Sequence, residues 1–157
     1  MRILNRSEII SFCDDTRKQG KTIVFTNGCF DILHRGHIEY LQSAAALGDV
    51  LIIGLNTDAS VKRIKSKGRP INSEDDRAAV LAALRCVDAV CLFDEDTPLE
   101  LIKAIKPDIL VKGSDYNPED IVGYTEVMKN SGRVVTVPLV QGKSTTELIQ
   151  RIKELPD

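Results

Sequence analysis

Short nonpolar stretches that alternate with helical patterns constrain the fold of this chain most strongly. Val50–Leu55 contains no polar residue, and similar strand-like stretches recur at 22–27, 89–93, 109–111 and 134–137. Strands that are apolar on both faces are typical of parallel sheets covered by helices on both sides. Strict alternation of strands and helices implies crossover connections. We therefore predict an α/β fold, a Rossmann-like, doubly wound parallel sheet of five strands, in a single domain over residues 1–157.

Capping signals and periodic apolar residues mark the helices between these strands. Asn5 with Glu8 three residues later resembles a capping pair for a first helix that ends before Gly20. Ser73 is expected to cap a helix over 74–85. The other predicted helices cover 38–47, 99–105, 124–129 and 145–153.

In a doubly wound sheet, ligands bind beyond the carboxyl ends of the strands. The segments expected at that edge are residues 28–37, the loop after Leu55, residues 112–116 and residues 142–146. Functional residues are therefore expected in these four segments.

The two histidines of the chain, His34 and His37, lie between the first predicted strand and its following helix. A helix N-terminus offers unpaired N–H groups and partial positive charge, and imidazole nitrogens donate hydrogen bonds to phosphate oxygens. Residues three apart share a helix face, so both rings could hold one phosphate. Two alternatives stay open: His37 packs on the sheet while His34 caps the helix, or the pair binds a metal ion.

Two glycines fit a phosphate site at the same place. Gly28 is expected to allow a tight turn after the strand and a close approach of the backbone to phosphate. Gly36 is expected to keep the first helical turn open for a ligand.

Charge and composition restrict the partners. The net charge of −2 and the pI near 5.7 argue against a nucleic-acid-binding surface. No apolar stretch approaches the ~20 residues that span a bilayer, and the N-terminus lacks a secretory signal, so we expect a cytoplasmic protein with no membrane partner. The four cysteines have no CxxC spacing, so we expect neither a disulfide nor a zinc site.

One segment is locally basic. It carries Lys62, Arg63, Lys65, Lys67 and Arg69 with no acid among them. Such a segment is either a mobile loop that grips an anionic ligand or a solvated linker.

These motifs resemble those of the cytidylyltransferase-like nucleotidyltransferases, whose signature is H-x-G-H followed late in the chain by S-T-T. Here the signature is His34-Arg35-Gly36-His37 with Ser144-Thr145-Thr146. Further stretches are most similar to the branch that adenylates D-glycero-β-D-manno-heptose 1-phosphate; they are 56–63, 68–72, 95–98 and 111–116. The chain departs from the glycerol-3-phosphate cytidylyltransferase element R-T-E-G-I-S-T-T, since Leu139 replaces its Arg. Ser114 stands where the heptose branch often has a second Gly.

The resemblance implies an adenylyltransferase that converts ATP and the heptose 1-phosphate to ADP-heptose and pyrophosphate, with Mg²⁺ as cofactor. It implies phosphate and transition-state contacts by His34 and His37, supported by Lys62 or Lys65 and by Arg77. It implies further nucleotide or substrate contacts by Asn27, Gly28, Cys29, Phe30, Asp31, Gly36, Lys112, Gly113, Asp115, Tyr116, Ser144, Thr145 and Thr146. The alternatives are transfer to glycerol 3-phosphate, another polyol phosphate or flavin mononucleotide, and a nucleotide-binding module without turnover.

Several of these residues have competing roles. Asp31 either takes part in Mg²⁺ coordination, directly or through water, or stabilises a turn. Lys112 and Asp115 contact a ligand or form a loop salt bridge. Ser144 and Glu147 form an S-x-x-E capping box whose helix N-terminus also faces the triphosphate. Direct phosphoryl transfer needs no protein nucleophile, so Cys29 is not assigned that role. We also expect a homo-oligomer, a dimer or higher.

Overall fold

A parallel sheet of six strands organises the chain. The computed structural model describes residues 2–65, 67–114, 117–138, 140 and 142–155. The strands are β1 (Ile3–Leu4), β2 (Ile23–Gly28), β3 (Val50–Asn56), β4 (Ala89–Phe93), β5 (Ile109–Gly113) and β6 (Arg133–Val137). The helices are α1 (Arg6–Lys18), α2 (Arg35–Ala45), α3 (Asp58–Ile64), α4 (Glu74–Ala82), α5 (Leu99–Ile105), α6 (Tyr124–Lys129) and α7 (Thr145–Lys153). The strand order is β1-β4-β3-β2-β5-β6, which confirms the predicted Rossmann-like class.

The predicted number of strands is wrong by one. The additional strand, β1, pairs in parallel with β4 through Ile3 opposite Val90 and Leu4 opposite Cys91. A strand of two residues is too short for any periodic pattern, and it exists because the exposed edge of β4 offers it backbone partners. The sequence alone therefore gave no signal for it.

The segment after β3 also differs from the prediction. A helix, α3, begins directly after Thr57, whose side chain accepts a hydrogen bond from the backbone of Ser60. Lys62 and Arg63 consequently lie in the last turn of that helix, where cations are favourable, and not in a mobile loop. Lys65, Lys67 and Arg69 follow this helix in the chain.

The predicted helix starts at Asn5 and Ser73 are confirmed. Asn5 and Glu8 exchange side chain to backbone hydrogen bonds, which completes the capping box of α1. Ser73 accepts from the backbone of Asp76 at the start of α4. At α7, Ser144 accepts from the backbone of Glu147, which is one of the two bonds that a capping box has.

The core lies on both faces of the sheet, as a doubly wound fold requires. On one face, α1 and α5 bury Ile9 and Leu101 against strand residues such as Phe25. On the other face, α2 and α4 bury Leu41 and Leu81. Within the described ranges, no helix has the length and apolar character that a bilayer crossing needs.

Strand order locates the ligand edge. β3 lies beside β2 on one side, and the chain later returns to place β5 on the other side. The direction of winding reverses between β2 and β5, and ligands of such sheets bind at the carboxyl ends beside this reversal.

Candidate active site

A cavity of about 420 Å³ lies at the carboxyl ends of β2, β3 and β5, beside the reversal point. It is lined by Asn27, Gly28, Cys29, Phe30, Asp31, His37, Asn56, Ile64, Lys65, Arg69, Lys112, Thr145 and Thr146. Most of the residues singled out in the sequence are therefore brought together. His34, Gly36 and Ser144 line a smaller cavity that adjoins it.

The two imidazole rings are stacked on one another. Their centroids are 3.9 Å apart with an angle of 23° between the planes, and Phe30 meets the His37 ring edge-on at 5.4 Å. The Nδ1 atoms of His34 and His37 are both buried and have no hydrogen-bond partner in the described structure. His34 is the N-cap residue of α2, but its side chain makes no capping bond. The alternative in which His34 caps the helix therefore holds for the position of His34 and not for a hydrogen bond of its imidazole.

Both histidines are held in the neutral form at pH 7. Burial, followed by the neighbouring His34 ring, lowers the pKa of His37 to about 4. Burial and the Lys143 ammonium lower the pKa of His34, against a partial opposing effect of Glu147. A neutral imidazole still has one N–H to donate and one nitrogen to accept, so each ring remains a donor for a phosphate oxygen.

The turn after β2 is made differently from the prediction for Gly28. Gly28 continues the strand, and its missing side chain makes room for the Phe30 ring, since a Cβ there would lie 3.1 Å from Phe30 Cε2. The sharp turn is made by Phe30 itself, which has a positive φ of 45°. Such a backbone costs about 1–3 kcal/mol in a residue other than glycine and is found where surroundings fix it, often at functional sites.

The space at Gly36 is also used differently. A Cβ there would lie 3.1 Å from Nδ1 of His34 and 3.2 Å from Cβ of Lys143. The glycine therefore lets the His34 ring fold back over the first turn of α2. The expectation that Gly36 keeps this turn open for a ligand is wrong, because protein atoms occupy the space.

Asp31 forms a structural clamp, a set of hydrogen bonds that joins the turn after β2 to the segment before α4. Its carboxylate accepts from Arg69 Nε at 2.5 Å and from the backbone N–H groups of Ile71 and Asn72 at 2.8 and 2.9 Å. Burial acts to raise the pKa of Asp31, but the hydrogen bonds from Asn72 and Ile71 and the Arg69 guanidinium outweigh it, so the pKa is lowered. The side chain has no exposed surface and both oxygens are occupied, which contradicts a role as a direct metal ligand and supports the turn-stabilising alternative.

Two lysines bring positive charge to the large cavity. Lys112 on β5 donates to Oδ1 of Asn27 on β2 at 2.6 Å, directly across the reversal point. Lys65 follows α3 and also lines the cavity, whereas Lys62 does not. Of the two lysines that the sequence left open, Lys65 is the one that lines this cavity. An anion would be stabilised between these ammonium groups.

Arg77 lies beneath the site and not in it. Its buried guanidinium donates to the carbonyl oxygens of Asn72 and Cys29 and to the carboxylate of Asp58. It lines neither the large cavity nor the one that adjoins it. The expected contact of Arg77 with a phosphate is contradicted, because its hydrogen bonds hold the turn after β2 to α3 and α4.

The remaining predicted residues have varied positions. The Thr145 hydroxyl donates to the carbonyl of Ile32, which attaches the start of α7 to the loop before α2. Burial raises the pKa of Cys29 against the effects of Lys65, Arg77 and Arg69, so it is a thiol and not a reactive thiolate. Gly113 ends β5 as a buried residue outside both cavities. Asp115 and Tyr116 lie outside the described residues.

Three residues of the large cavity, Asn56, Ile64 and Arg69, were not among the predicted site residues. Asn56 ends β3 and donates to the Ser60 hydroxyl at 3.0 Å, and Ile64 ends α3. Arg69 had been noted in the basic segment and in the stretch 68–72, without a role at the site. A polar residue that ends an apolar strand at the ligand edge was the signal for Asn56. The partner of Arg69, Asp31, is 38 positions away, so no local pattern links the two.

Comparison with known proteins shows the family of this chain. Residues 25–151 match the family described as cytidylyltransferase-like. The chain belongs to this family. The family match includes both histidines and the start of α7, so it covers the elements that build the cavity.

Curated relatives of this chain include two proteins called bifunctional protein HldE. The one from Trichlorobacter lovleyi is 55% identical over 153 residues, which cover 98% of this chain and 31% of the relative. The one from Campylobacter concisus is 58% identical over 139 residues, which cover 88% of this chain and 29% of the relative. The chain thus spans about a third of the length of these relatives.

Two solved structures have a similar fold. The lipopolysaccharide core biosynthesis protein from Thermoplasma volcanium has a TM-score of 0.65 at 29% identity, covering 79% of this chain and all of that one. Pantoate-beta-alanine ligase from Francisella tularensis has a TM-score of 0.64 at 16% identity. The match covers 99% of this chain and 78% of the ligase chain. The second likeness shows the fold alone.

Proposed function

We propose that this member of the cytidylyltransferase-like family is an adenylyltransferase that converts ATP and D-glycero-β-D-manno-heptose 1-phosphate to ADP-heptose and pyrophosphate. The observation that carries the proposal is the stacked pair of neutral histidines at the reversal point, beside a cavity lined by Lys65 and Lys112. This arrangement offers hydrogen-bond donors and positive charge to phosphate groups. Its cysteine, Cys29, has a raised pKa and is not an activated nucleophile.

The proposed reaction is a direct in-line displacement. An oxygen of the sugar phosphate forms a bond to the α-phosphorus of ATP, and the bond from that phosphorus to the bridging oxygen of the β-phosphate breaks, with its electron pair leaving on pyrophosphate. Such a step depends on positioning and on stabilising charge at the equatorial oxygens. His34 and His37 would donate to the α-phosphate, while Lys65 and Lys112 would hold the incoming phosphate.

The heptose acceptor is supported by sequence and by relatives. The stretches over 56–63, 68–72, 95–98 and 111–116 are those most similar to the heptose-phosphate branch. The chain is more than 50% identical to proteins named HldE and 29% identical to a protein of lipopolysaccharide core biosynthesis. These similarities favour a sugar nucleotide for lipopolysaccharide as the product.

The proposed metal is Mg²⁺, bound with ATP. Within the described residues, no group of three or more His, Cys, Asp or Glu side chains could hold a metal ion, and Asp31 is fully occupied. These residues do not form a metal site, so Mg²⁺ would be held by the substrate phosphates and water, as is common for this ion.

Four wider expectations remain proposals. Residues 1–157 would act as one nucleotidyltransferase domain, in the cytoplasm, and as a dimer or higher oligomer without nucleic-acid or membrane partners. Light scattering of the purified chain would measure the number of subunits directly.

The test of the proposed function is a product assay. ATP, Mg²⁺ and the heptose 1-phosphate should release pyrophosphate and form ADP-heptose, which mass spectrometry identifies. Matched reactions with CTP, glycerol 3-phosphate or flavin mononucleotide should be slower by orders of magnitude. Product from one of those pairs alone, or ATP binding without product from any acceptor, would overturn the assignment.

A further inference from the structure

Strands β2 and β5 stop pairing at the reversal point. Their backbones pair through Val24 opposite Ile109 and Phe25 opposite Leu110. β2 remains paired with β3 as far as Gly28, so the gap opens on the β5 side. Such a gap admits a ligand to the edge of the sheet, but it also leaves backbone polar groups that need other partners.

Two side chains bridge the gap where the next backbone pairs would lie. Continued in the same register, Thr26 would face Val111 and Asn27 would face Lys112. The Tyr40 hydroxyl donates to the carbonyl oxygen of Val111 at 3.1 Å and lies 2.8 Å from Oγ1 of Thr26. Lys112 bridges the following pair through its bond to Asn27. The tyrosine and the lysine therefore connect the two strands beyond the point where their backbones pair.

The bridge made by Tyr40 is sheltered from water. Thr26 has no exposed surface, and the Tyr40 ring packs partly buried against the core. Because the single hydroxyl proton of Tyr40 goes to Val111, the Thr26 hydroxyl donates to the Tyr40 oxygen. Sheltered polar groups are costly to leave without a partner, so these two bonds fix the tyrosine at one place on the sheet.

Tyr40 belongs to the helix that carries the histidine pair. It follows His37 by three residues on α2, and residues three apart share a helix face. Tyr40, His34 and His37 all line the smaller cavity. The Nδ1 atom of His37 has no hydrogen-bond partner among the described residues, so no bond from that atom holds the ring. The place of the ring therefore depends on its stacking and on where the first turns of α2 lie.

We propose that Tyr40 is a positioning residue for nucleotidyl transfer: its hydroxyl fixes the first turns of α2 against the separated ends of β2 and β5 and thereby holds the His37 ring at the reacting phosphate. The inference rests on the proposed function for the reaction, whereas the placement of the ring does not depend on the acceptor. A displacement of a catalytic group by about 1 Å can lower a rate ~10²-fold.

The first test is an NMR comparison of the histidine rings without substrate. Tyr40→Phe removes the hydroxyl and keeps the aromatic ring. We expect the ring proton signals of His37 to move and the nuclear Overhauser effect between the His34 and His37 rings to weaken, because the stacking at 3.9 Å is no longer held. Thr26→Val removes one of the two bonds and should move the same signals in the same direction by less. Unchanged His37 signals in Tyr40→Phe would overturn the inference.

The second test is kinetic. For formation of ADP-heptose, Tyr40→Phe should lower kcat about tenfold or more and change the KM for ATP less than ~twofold, because the ring acts in the transition state. In a His37→Ala background the same substitution should change kcat less than ~twofold, since the ring that it positions is gone. Equal falls in both backgrounds would show a general effect on the fold and overturn the inference.

Tyr124→Phe is the matched control. Tyr124 is a partly buried tyrosine on α6 that lines neither cavity. This variant should keep the wild-type His37 signals, kcat and KM, and circular dichroism should show that each variant is folded at the assay temperature. If the wild type makes no ADP-heptose, the proposed function fails, and the NMR comparison alone then decides whether Tyr40 places the ring.

Discussion

The clamp made by Asp31 gives the sharpest prediction about stability. Asp31→Asn keeps the shape of the side chain but removes the charge that faces Arg69, whose side chain is only 12% exposed. An amide nitrogen would also face one of the backbone N–H groups of Ile71 and Asn72, which now both donate to the carboxylate. Removing one partner of a buried ion pair costs about 3–5 kcal/mol. Since Arg69 retains some contact with water, we expect about 3 kcal/mol, measured by urea unfolding at pH 7.

The same prediction carries a pH dependence. Because the folded-state pKa of Asp31 is lowered, its stabilisation is fully present above the unfolded-state value of ~3.9 and is lost as the pH falls through the folded-state value. The difference between wild type and Asp31→Asn should therefore be constant from pH 7 to pH 5 and shrink below pH 4.

Asp120→Asn is the control for Asp31. The Asp120 carboxylate is exposed and accepts a single bond, at 3.3 Å from Asn117. This variant should change the free energy of unfolding by no more than ~0.5 kcal/mol. A loss below 1 kcal/mol for Asp31→Asn at pH 7, or a loss that does not diminish in acid, would refute the reasoning about the clamp.

Two further predictions concern Arg77 and His37. Arg77→Met should destabilise the fold by about 3 kcal/mol, because two carbonyl oxygens and the Asp58 carboxylate lose a buried donor. As a control, substitution of the exposed Arg85 by Met should cost ~0.5 kcal/mol or less. Equal urea unfolding midpoints for the two variants would contradict the buried network. The ring signals of His37 in an NMR titration should stay constant from pH 8 to pH 5.5 and move only near pH 4, because burial keeps the ring neutral; a midpoint near 6.5 would show a solvated imidazole.

The sequence predicted the layers of the fold because the dominant signals are local. Stretches such as Val50–Leu55 are buried on both faces, and the caps at Asn5 and Ser73 depend on residues three positions away. β1 escaped prediction because its two residues are held by the edge of β4, a partner about 87 positions away. Helix α3 was missed because its basic last turn resembled a solvated linker.

The candidate site was predictable as a set and less so in its details. The H-x-G-H and S-T-T elements and the ligand edge of the sheet together indicated the cavity around His37 and Thr145. The roles of individual charged residues depended on tertiary partners: Arg69 occupies Asp31, and Asp58 with two carbonyls occupies Arg77. Sequence spacing shows which charges are present, but only the fold shows which of them are already paired.

The glycines illustrate the same limit. Gly28 and Gly36 were expected to make room for a turn and for a ligand, and instead they make room for the rings of Phe30 and His34. A missing side chain indicates that something lies close, and the sequence does not say what. Here the neighbouring rings are the ones that shape the site.

The central claim is that the stacked histidines stabilise the transition state of nucleotidyl transfer, and a single-turnover rate with His37→Ala tests it most directly. At saturating ATP and heptose 1-phosphate, the rate constant for pyrophosphate formation should fall ~10²–10³-fold, which is the effect of losing a preorganised donor to a developing charge. Circular dichroism and the unfolding midpoint should show that the variant is folded. A folded His37→Ala protein that turns over at the wild-type rate would contradict the account.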